Sequence, residues 1–336
     1  MNSKEIAKLA GVSRSTVSRV INNYDNVPSK TKKKVMEIID KYGYTPNYSA
    51  KALAGHTNDI IELVISDLFT TKTDSSWSGL NSPYNTQIIF SIIKECKKRN
   101  QLVLVNVIDN EKDLVKLENN YKNNFIRGGI YVGFDYRDQQ IINLHKANYN
   151  IVAIDIFDSE FNKDSKIKTV NCLNYQACST ATEYLIKLGH QNIGFLEGDT
   201  RLSSIERRNG FIDTMNKNNL PLLPNSMQKG YFCEYDGYVA TQKILNNKNI
   251  TAIICSNDIM AYGAMKAIYE KNLKIPEDIS LIGFDNDKLN YKNNLKLTSV
   301  YFDLKELAEK TVNAIFTSSN IHETCSCKIY EGSSVK

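Results

Sequence analysis

NSKEIAKLAGVSRSTVSRVIN, residues 2–22, is the stretch against which the rest of the chain has to be read. Ile6, Leu9 and Ala10 fall at i, i+3 and i+4, and Val17, Val20 and Ile21 repeat the spacing. Two short helices with one apolar stripe each are therefore predicted. Asn2 followed by Glu5 reads as a capping box for the first helix. Gly11 can adopt the left-handed conformation that closes that helix, and Ser13 can cap the next, leaving the corner Gly11-Val12-Ser13. The pattern is a helix-turn-helix. With Val17, Val20 and Ile21 inward, the second helix turns out Arg14, Ser15, Ser18, Arg19 and Asn22. A face of donors and hydroxyls suits the major groove of B-DNA, where arginine can fork onto guanine O6 and N7. Any short helical hairpin with one polar face shares part of this outline, so the remainder of the chain must agree with it.

Next to it, Pro28-Ser29 opens a third helix in which Val35, Ile38, Ile39 and Tyr42 keep helical spacing, and Gly43 ends it. Lys30, Lys32, Lys33 and Lys34 crowd its start, as a solvated charge run or as phosphate contacts. Pro46, Asn47, the alanine-rich run 50–54 and Gly55 then suggest about two helical turns, too short to be stable alone and suited to folding against a partner. One large apolar side chain, Leu53, stands on this run with little nearby to bury it.

Charge divides the chain the same way. Its 336 residues carry a net charge of +5. Residues 1–58 hold ten Lys or Arg against four Asp or Glu, leaving 32 against 33 for the rest. The basic excess is confined to the part that would meet phosphate. The length suits two or three domains, and a 42% hydrophobic, 24% charged composition is ordinary for a globular protein.

From Asp59 onward short β-branched runs alternate with helical ones. IIELVIS, LVLVNVI, GIYVGF, IVAIDI, NIGFLE, TAIICS and SLIGF read as buried parallel strands. Residues 84–99, 175–188, 203–215 and 259–270 read as crossover helices of a doubly wound α/β architecture. Ligands in such sheets sit at the carboxyl ends of strands, which selects Asp155, Asn257-Asp258 and Asp285. An Asn that starts a helix is ordinarily its cap, and that reading of Asn257 stands beside the ligand one.

Enzyme readings find little support. There is no GxGxxG after a strand, no GxxxxGK[ST] and no GxSxG elbow. The four histidines sit apart, and His190, after Leu188-Gly189, is expected to meet the carbonyls of a helix end. Seven cysteines without CxxC spacing read as buried reduced thiols. Cys325 and Cys327 are placed on one strand face, too few ligands for a metal, and no metal or cofactor is expected. No run approaches a membrane span and no apolar signal region opens the chain, so a cytoplasmic location is expected.

EIAKLAGVSRSTVSRVIN (5–22), YTPN (44–47) with AKALAG (50–55), SNDIMAYGAMKAI (256–268) and SLIGFDN (280–286) resemble, in order and over essentially the whole chain, the lactose-repressor/galactose-repressor family of bacterial transcriptional regulators. The resemblance implies an N-terminal all-α helix-turn-helix domain (1–46), a hinge helix or linker (47–58) and a two-lobed α/β domain with parallel sheets (59–336), similar to periplasmic sugar-binding proteins. It implies that Arg14, Ser15 and Arg19 contact operator bases, with Ser13, Thr16, Ser18, Asn22 and Asn47 completing the DNA-contact set. Leu53 from each subunit would wedge into the minor groove at the centre of a near-palindrome, a device that unstacks a base step.

For the lobes the resemblance implies an effector cleft in which Arg207 forks onto ligand oxygens and Phe232 stacks on the ligand ring, joined by Tyr84, Asp155, Asn257 and Asp285. A surface salt bridge for Arg207 and core filling for Phe232 are the structural alternatives. Residues 69–80, with the single Trp77, replace a short family loop and read equally as a sugar-stacking lid or a surface insertion. The absence of a leucine heptad tail implies a homodimer. The expected function is repression of carbohydrate-utilisation genes under a small effector, a sugar. The alternatives are a purine effector, a protein partner, or a stand-alone sugar-binding protein.

Overall fold

In the computed structural model the described residues are 1–21, 24–44, 59–66, 82–134, 139–156, 167–287, 295–319 and 321–336. Asn22, Asn47, Leu53, the expected hinge helix and the insertion with Trp77 lie outside them. The chain divides into two compact units, Met1–Asn58 and Asp59–Lys336.

The first unit holds α1 (Ser3–Ala10), α2 (Arg14–Ile21) and α3 (Ser29–Tyr42). Both halves of the capping box form. Asn2 Oδ1 accepts the N–H groups of Lys4 and Glu5 at 3.0 and 3.1 Å, and Glu5 Oε2 accepts the Asn2 N–H at 2.8 Å. Gly11 and Gly43 close α1 and α3 in the left-handed region, with φ of 63° and 59°. The core is Ile6, Ala7, Ala10, Val17, Val20 and Val35. Two expected core members are absent from it: Leu9 and Tyr42 are each 45% exposed. The buried stripe of α1 is centred one residue from the Ile6/Leu9/Ala10 line, so Ala7 takes the place of Leu9, and Tyr42 sits on the last turn beside Lys41. Replacing Asn2 by Ala should destabilise α1 by about 1 kcal/mol, read as roughly fivefold faster amide exchange in that helix.

In the second unit one sheet contains β1 (Ile60–Ser66), β2 (Leu102–Ile108), β3 (Gly128–Val132), β4 (Ile151–Ile154), β5 (Lys168–Cys172) and β11 (His322–Cys325), ordered β11-β5-β4-β3-β1-β2. The other contains β6 (Ile193–Glu197), β7 (Met227–Lys229), β8 (Ala252–Cys255), β9 (Ser280–Phe284), β10 (Thr298–Phe302) and β12 (Cys327–Tyr330), ordered β12-β10-β9-β8-β6-β7. Only β12 pairs antiparallel, against β10, among the described strands. The first five strands of each lobe follow the doubly wound order 2-1-3-4-5, which puts a ligand crevice at their carboxyl ends. The helices are α4 (Pro83–Lys98), α5 (Glu111–Lys122), α6 (Gln139–Lys146), α7 (Asn174–Lys187), α8 (Leu202–Lys217), α9 (Glu234–Ile244), α10 (Asp258–Glu270) and α11 (Leu304–Phe316).

The chain changes lobes at Leu173, Asp303 and Ser326. β5 belongs to the first sheet, but α7 packs on β8, β10 and β12 of the second; β10 belongs to the second, but α11 packs on α4 and β3 to β5 of the first. β11 and β12 lie in different sheets. Cys325 and Cys327 therefore do not share a strand face, because the crossing at Ser326 separates them; all seven cysteines are free thiols, six of them buried.

Two further expectations change. LVLVNVI forms β2, but as an outer strand with only β1 beside it among the described strands, so Leu102 and Val105 are 52% and 42% exposed rather than buried. His190 meets the end of its own helix through its backbone, the N–H donating to the Leu185 carbonyl at 3.1 Å, while the ring turns elsewhere: Nδ1 lies 2.9 Å from Thr251 Oγ1 and Nε2 lies 3.2 Å from the Lys336 carbonyl. Burial lowers its pKa, chiefly by desolvating the charged ring. Glu62, in the middle of IIELVIS, is fully buried because Asn106 and Asn120 donate to its carboxyl at 2.5 and 2.6 Å.

Candidate functional site

Along α2, Ser13, Arg14, Ser15, Ser18 and Arg19 are exposed and Thr16 is half-buried. Ser13 is the pivot of the turn. Its Oγ accepts the Thr16 N–H at 3.1 Å and lies 2.7 and 2.8 Å from the hydroxyls of Ser15 and Thr16. Arg14 Nε donates to Ser3 Oγ at 3.0 Å, which braces this arginine against the start of α1. Lys30, Lys33 and Lys34 at the start of α3 are exposed as well. The unit thus offers a polar recognition helix beside a basic helix start, an arrangement able to meet base edges and phosphates together.

The second unit has a cleft at the carboxyl ends of both sheets, and all six lobe residues selected from sequence line it: Tyr84, Asp155, Arg207, Phe232, Asn257 and Asp285. Tyr84 reaches it from the first turn of α4, which Ser82 caps by accepting the Asn85 N–H at 3.1 Å while Pro83 sets the opening φ. Asp155 follows β4 with φ of 53°, and its Oδ1 accepts the Cys172 N–H at 2.6 Å.

Arg207 is 6% exposed on α8. Nε donates to Asn174 Oδ1 at 2.9 Å, Nη1 donates to the Ser256 carbonyl, and the guanidinium lies 4.5 Å from the Phe284 ring centroid. Those partners are neutral and buried, which rules out a surface salt bridge. Gly210, one turn on, lets α8 close against α7, since a Cβ there would stand 2.3 Å from the Tyr175 carbonyl oxygen.

Phe232 is neither wholly core nor wholly cleft. Its ring packs partly on the core of the second lobe and also lines the cleft. Tyr231 and Phe232 both have left-handed backbone, φ 50° and 59°, which is sparsely populated for aromatic residues and turns the ring inward. Gly198 makes room for it, because a Cβ there would meet the ring at 2.1 Å. Arg201 lies over the ring at 4.9 Å and is held by Asp199 at 2.7 Å.

Asn257 does cap α10, its Oδ1 accepting the Met260 N–H at 2.8 Å, while its amide donates to the Phe232 carbonyl at 3.3 Å. It ties the aromatic loop to the helix start. Asp285 leaves β9 with φ of 98°, and its N–H donates to the Val300 carbonyl at 2.7 Å. Burial pushes its carboxyl up to about 6, with the Arg207 guanidinium pulling the other way. Asp155 is raised by the same desolvation, and Asp258 is raised well above the usual range by burial and then by the Asp285 charge.

The cleft also contains residues that sequence reasoning did not select, among them Phe134, Arg201, Ser203 and Asp287. Phe134 and Asp287 follow strands by one or two positions more than the rule used, and Arg201 and Ser203 sit at the opening of α8, where only the folded loop shows which way they face. Among the described residues no cluster of His, Cys, Asp or Glu could hold a metal ion.

Residues 3–47 match the family model described as bacterial regulatory proteins, lacI family, and residues 182–324 match a periplasmic binding protein-like domain. The chain is 32% identical over 322 residues to the HTH-type transcriptional repressor PurR of Pasteurella multocida (strain Pm70), covering 94% of this chain and 91% of that one. It is 28% identical to the probable HTH-type transcriptional repressor ExuR of Bacillus subtilis (strain 168), covering 98% and 94%. The fold matches the lac repressor bound to ONPG in its repressed state with a TM-score of 0.82 and 25% identity, over 100% of this chain and 99% of that one. A helix-turn-helix unit, two doubly wound lobes and relatives aligned over nearly their full length agree: this chain belongs to the lacI family of bacterial regulatory proteins, as a DNA-binding transcriptional repressor.

Proposed function

We infer that this repressor binds a near-palindromic operator as a homodimer in the cytoplasm and that a small polyhydroxyl molecule, a sugar, in the cleft of the second unit sets its affinity for DNA. The observation that carries the effector reading is the convergence of Arg207, Asp155, Asp285, Phe232 and Tyr84 on one cleft. Carboxylates accept from paired hydroxyls, a guanidinium donates to vicinal oxygens, and aromatic faces cover the apolar side of a sugar ring. A second copy has a surface to meet: Phe90 is 60% exposed, and β2 presents Leu102, Val105 and Val107 at an open sheet edge. No helix among the described residues is long and apolar enough to cross a membrane. In DNA recognition, Ser13, Thr16 and Ser18 support Arg14, Ser15 and Arg19, with Asn22 and Asn47 added from the flanking segments and Leu53 as the minor-groove wedge.

A purine is the second reading, favoured by the relationship to PurR repressors. A gel shift on the DNA upstream of the protein's own gene, repeated with a panel of sugars and purines, tests both: one class should move the binding curve. A shift with neither would leave the cleft without the role given to it here.

Asp285 adds a pH test. Its folded value of about 6 is above the ordinary carboxylate range, so the charged form is disfavoured in the unliganded protein. That contribution to stability is present at low pH and is lost as pH rises through about 6. A hydroxyl-donating effector favours the ionised carboxylate, so its affinity should run the other way and increase over the same window. Calorimetry at about pH 5 and about pH 7 measures this, and an effector that binds equally at both would remove Asp285 from the contact set.

A further inference from the structure

Two helices of the first lobe start at the cleft end of the sheets and finish together. α4 opens with Tyr84 in the cleft and closes at Arg99, about 24 Å further on at 1.5 Å per residue. α11 begins at the Asp303 passage between lobes, packs on α4 and ends at Phe316. Its last turn is fixed to the first lobe through its carbonyls: Lys168 Nζ donates to those of Ala314 and Thr317 at 3.0 and 2.6 Å, and Asn150 Nδ2 donates to that of Ile315 at 2.9 Å. These are the carbonyls that a helix end leaves without an internal partner, so the cap holds this end in one position.

Phe316 stands there 43% exposed, too open for a core residue, yet two guanidinium groups lie over its ring. Arg99 is 5.7 Å and Arg127 5.2 Å from the ring centroid. Arg99 Nη2 also donates to Asn313 Oδ1 on α11 and pairs with Glu95 at 3.2 Å. Arg127 pairs with Asp59 at 3.6 Å, and its N–H donates to the Ile60 carbonyl at 2.8 Å, while the Asp59 carbonyl accepts the Leu102 N–H at 2.7 Å. Asp59 is the first residue of the second unit, where the chain arrives from the unit that carries the helix-turn-helix. The residue at which the chain enters the lobes is therefore tied, through Arg127 and the Phe316 ring, to the ends of both helices.

We propose that Phe316, with Arg99 and Arg127 over its ring, is a positioning group for operator binding: it holds Asp59, the attachment point of the DNA-binding unit, in one place and does not itself touch DNA. The inference rests on the repressor function and is independent of what occupies the cleft. A tethered unit binds a fixed site more tightly when its attachment point is already held, because less freedom is lost on binding. A guanidinium over an aromatic face supplies such a hold even where the ring is partly exposed.

Competition gel shifts of the full chain test this, on a duplex that the wild-type chain has selected from a random library. Phe316→Leu keeps an apolar side chain and removes the ring; it should weaken binding roughly fivefold or more, and Phe316→Tyr, which keeps the ring, should stay within about twofold of wild type. Arg127→Gln should reproduce the loss and Arg127→Lys, which keeps a cation, should retain most of the affinity. Thermal midpoints should move little, and the slope of log affinity against log salt should stay as it is, since no phosphate contact is removed. Should Phe316→Leu fail to fold, the two Arg127 variants decide. Wild-type affinity in both Phe316→Leu and Arg127→Gln overturns the proposal. So does a loss accompanied by a salt slope lower by about one, which would make Arg127 a direct phosphate contact, or a loss equally large in Phe316→Tyr and Arg127→Lys, which would make the ring and the cation plain packing elements.

Discussion

Arg207→Ala should give a protein that still binds its operator and no longer responds to its effector. Arginine at this site combines a buried positive charge with a forked donor geometry, and hydrogen bonds from a charged group are worth about 1.5–3 kcal/mol each. Loss of a bidentate contact should therefore weaken effector binding by roughly 100-fold or more. The variant also carries a folding cost, because Asn174 Oδ1 and the Ser256 carbonyl lose their donor and Phe284 loses the cation over its ring. Retention of operator affinity separates the two effects, since the residues proposed to contact DNA belong to another compact unit. Measured by calorimetry with the active member of the sugar or purine panel, an unchanged effector affinity would place the ligand elsewhere.

Arg19→Ala should remove most of the preference for the cognate operator over random DNA while leaving weak, salt-sensitive binding. A bidentate arginine–guanine pair supplies about 1–3 kcal/mol of discrimination, roughly 5- to 150-fold in the ratio of specific to non-specific affinity. Arg14 is a less direct target, because its Nε already bonds Ser3 and its removal would also disturb the packing of α2 against α1. Arg19 is exposed on the last turn of the recognition helix, so its loss should change specificity with little change in stability. Competition gel shifts at two salt concentrations report both quantities, and an unaltered ratio would exclude Arg19 from base reading.

How much of this could be read from sequence depended on whether one residue's surroundings were local. The capping box needs only Asn2 and Glu5, and it forms as read. β1, β8 and β9 are uninterrupted enough to announce central strands. β5 (KTVNC), β7 (MQK) and β10 (TSVYF) were not read, since short strands with polar members lack both the apolar run and the alternation; α5, α6, α9 and α11 were missed too. The exposure of Leu102 and Val105 could not be read, because an outer strand and a central one are spelled alike.

The six cleft residues came from strand ends and family position, and the fold gathers them in one place. Asp287 escaped because two successive left-handed residues redirect it, and neither Asp285 nor Asn286 advertises such a backbone. Arg201 escaped because its direction is set by Asp199 and the Phe232 ring.

The three passages between lobes at Leu173, Asp303 and Ser326 bear on how a bound molecule can act at a distance. A body tied to another by one cord can tumble in any direction; tied by three that lie side by side, it retains little more than a swing about one line. Whatever free energy the occupant of the cleft supplies is thereby directed into that single swing instead of being scattered over many small displacements. A cut at Ser326, where β11 hands over to β12 without any loop, should loosen this restriction and blunt the response to an occupant even where its affinity survives.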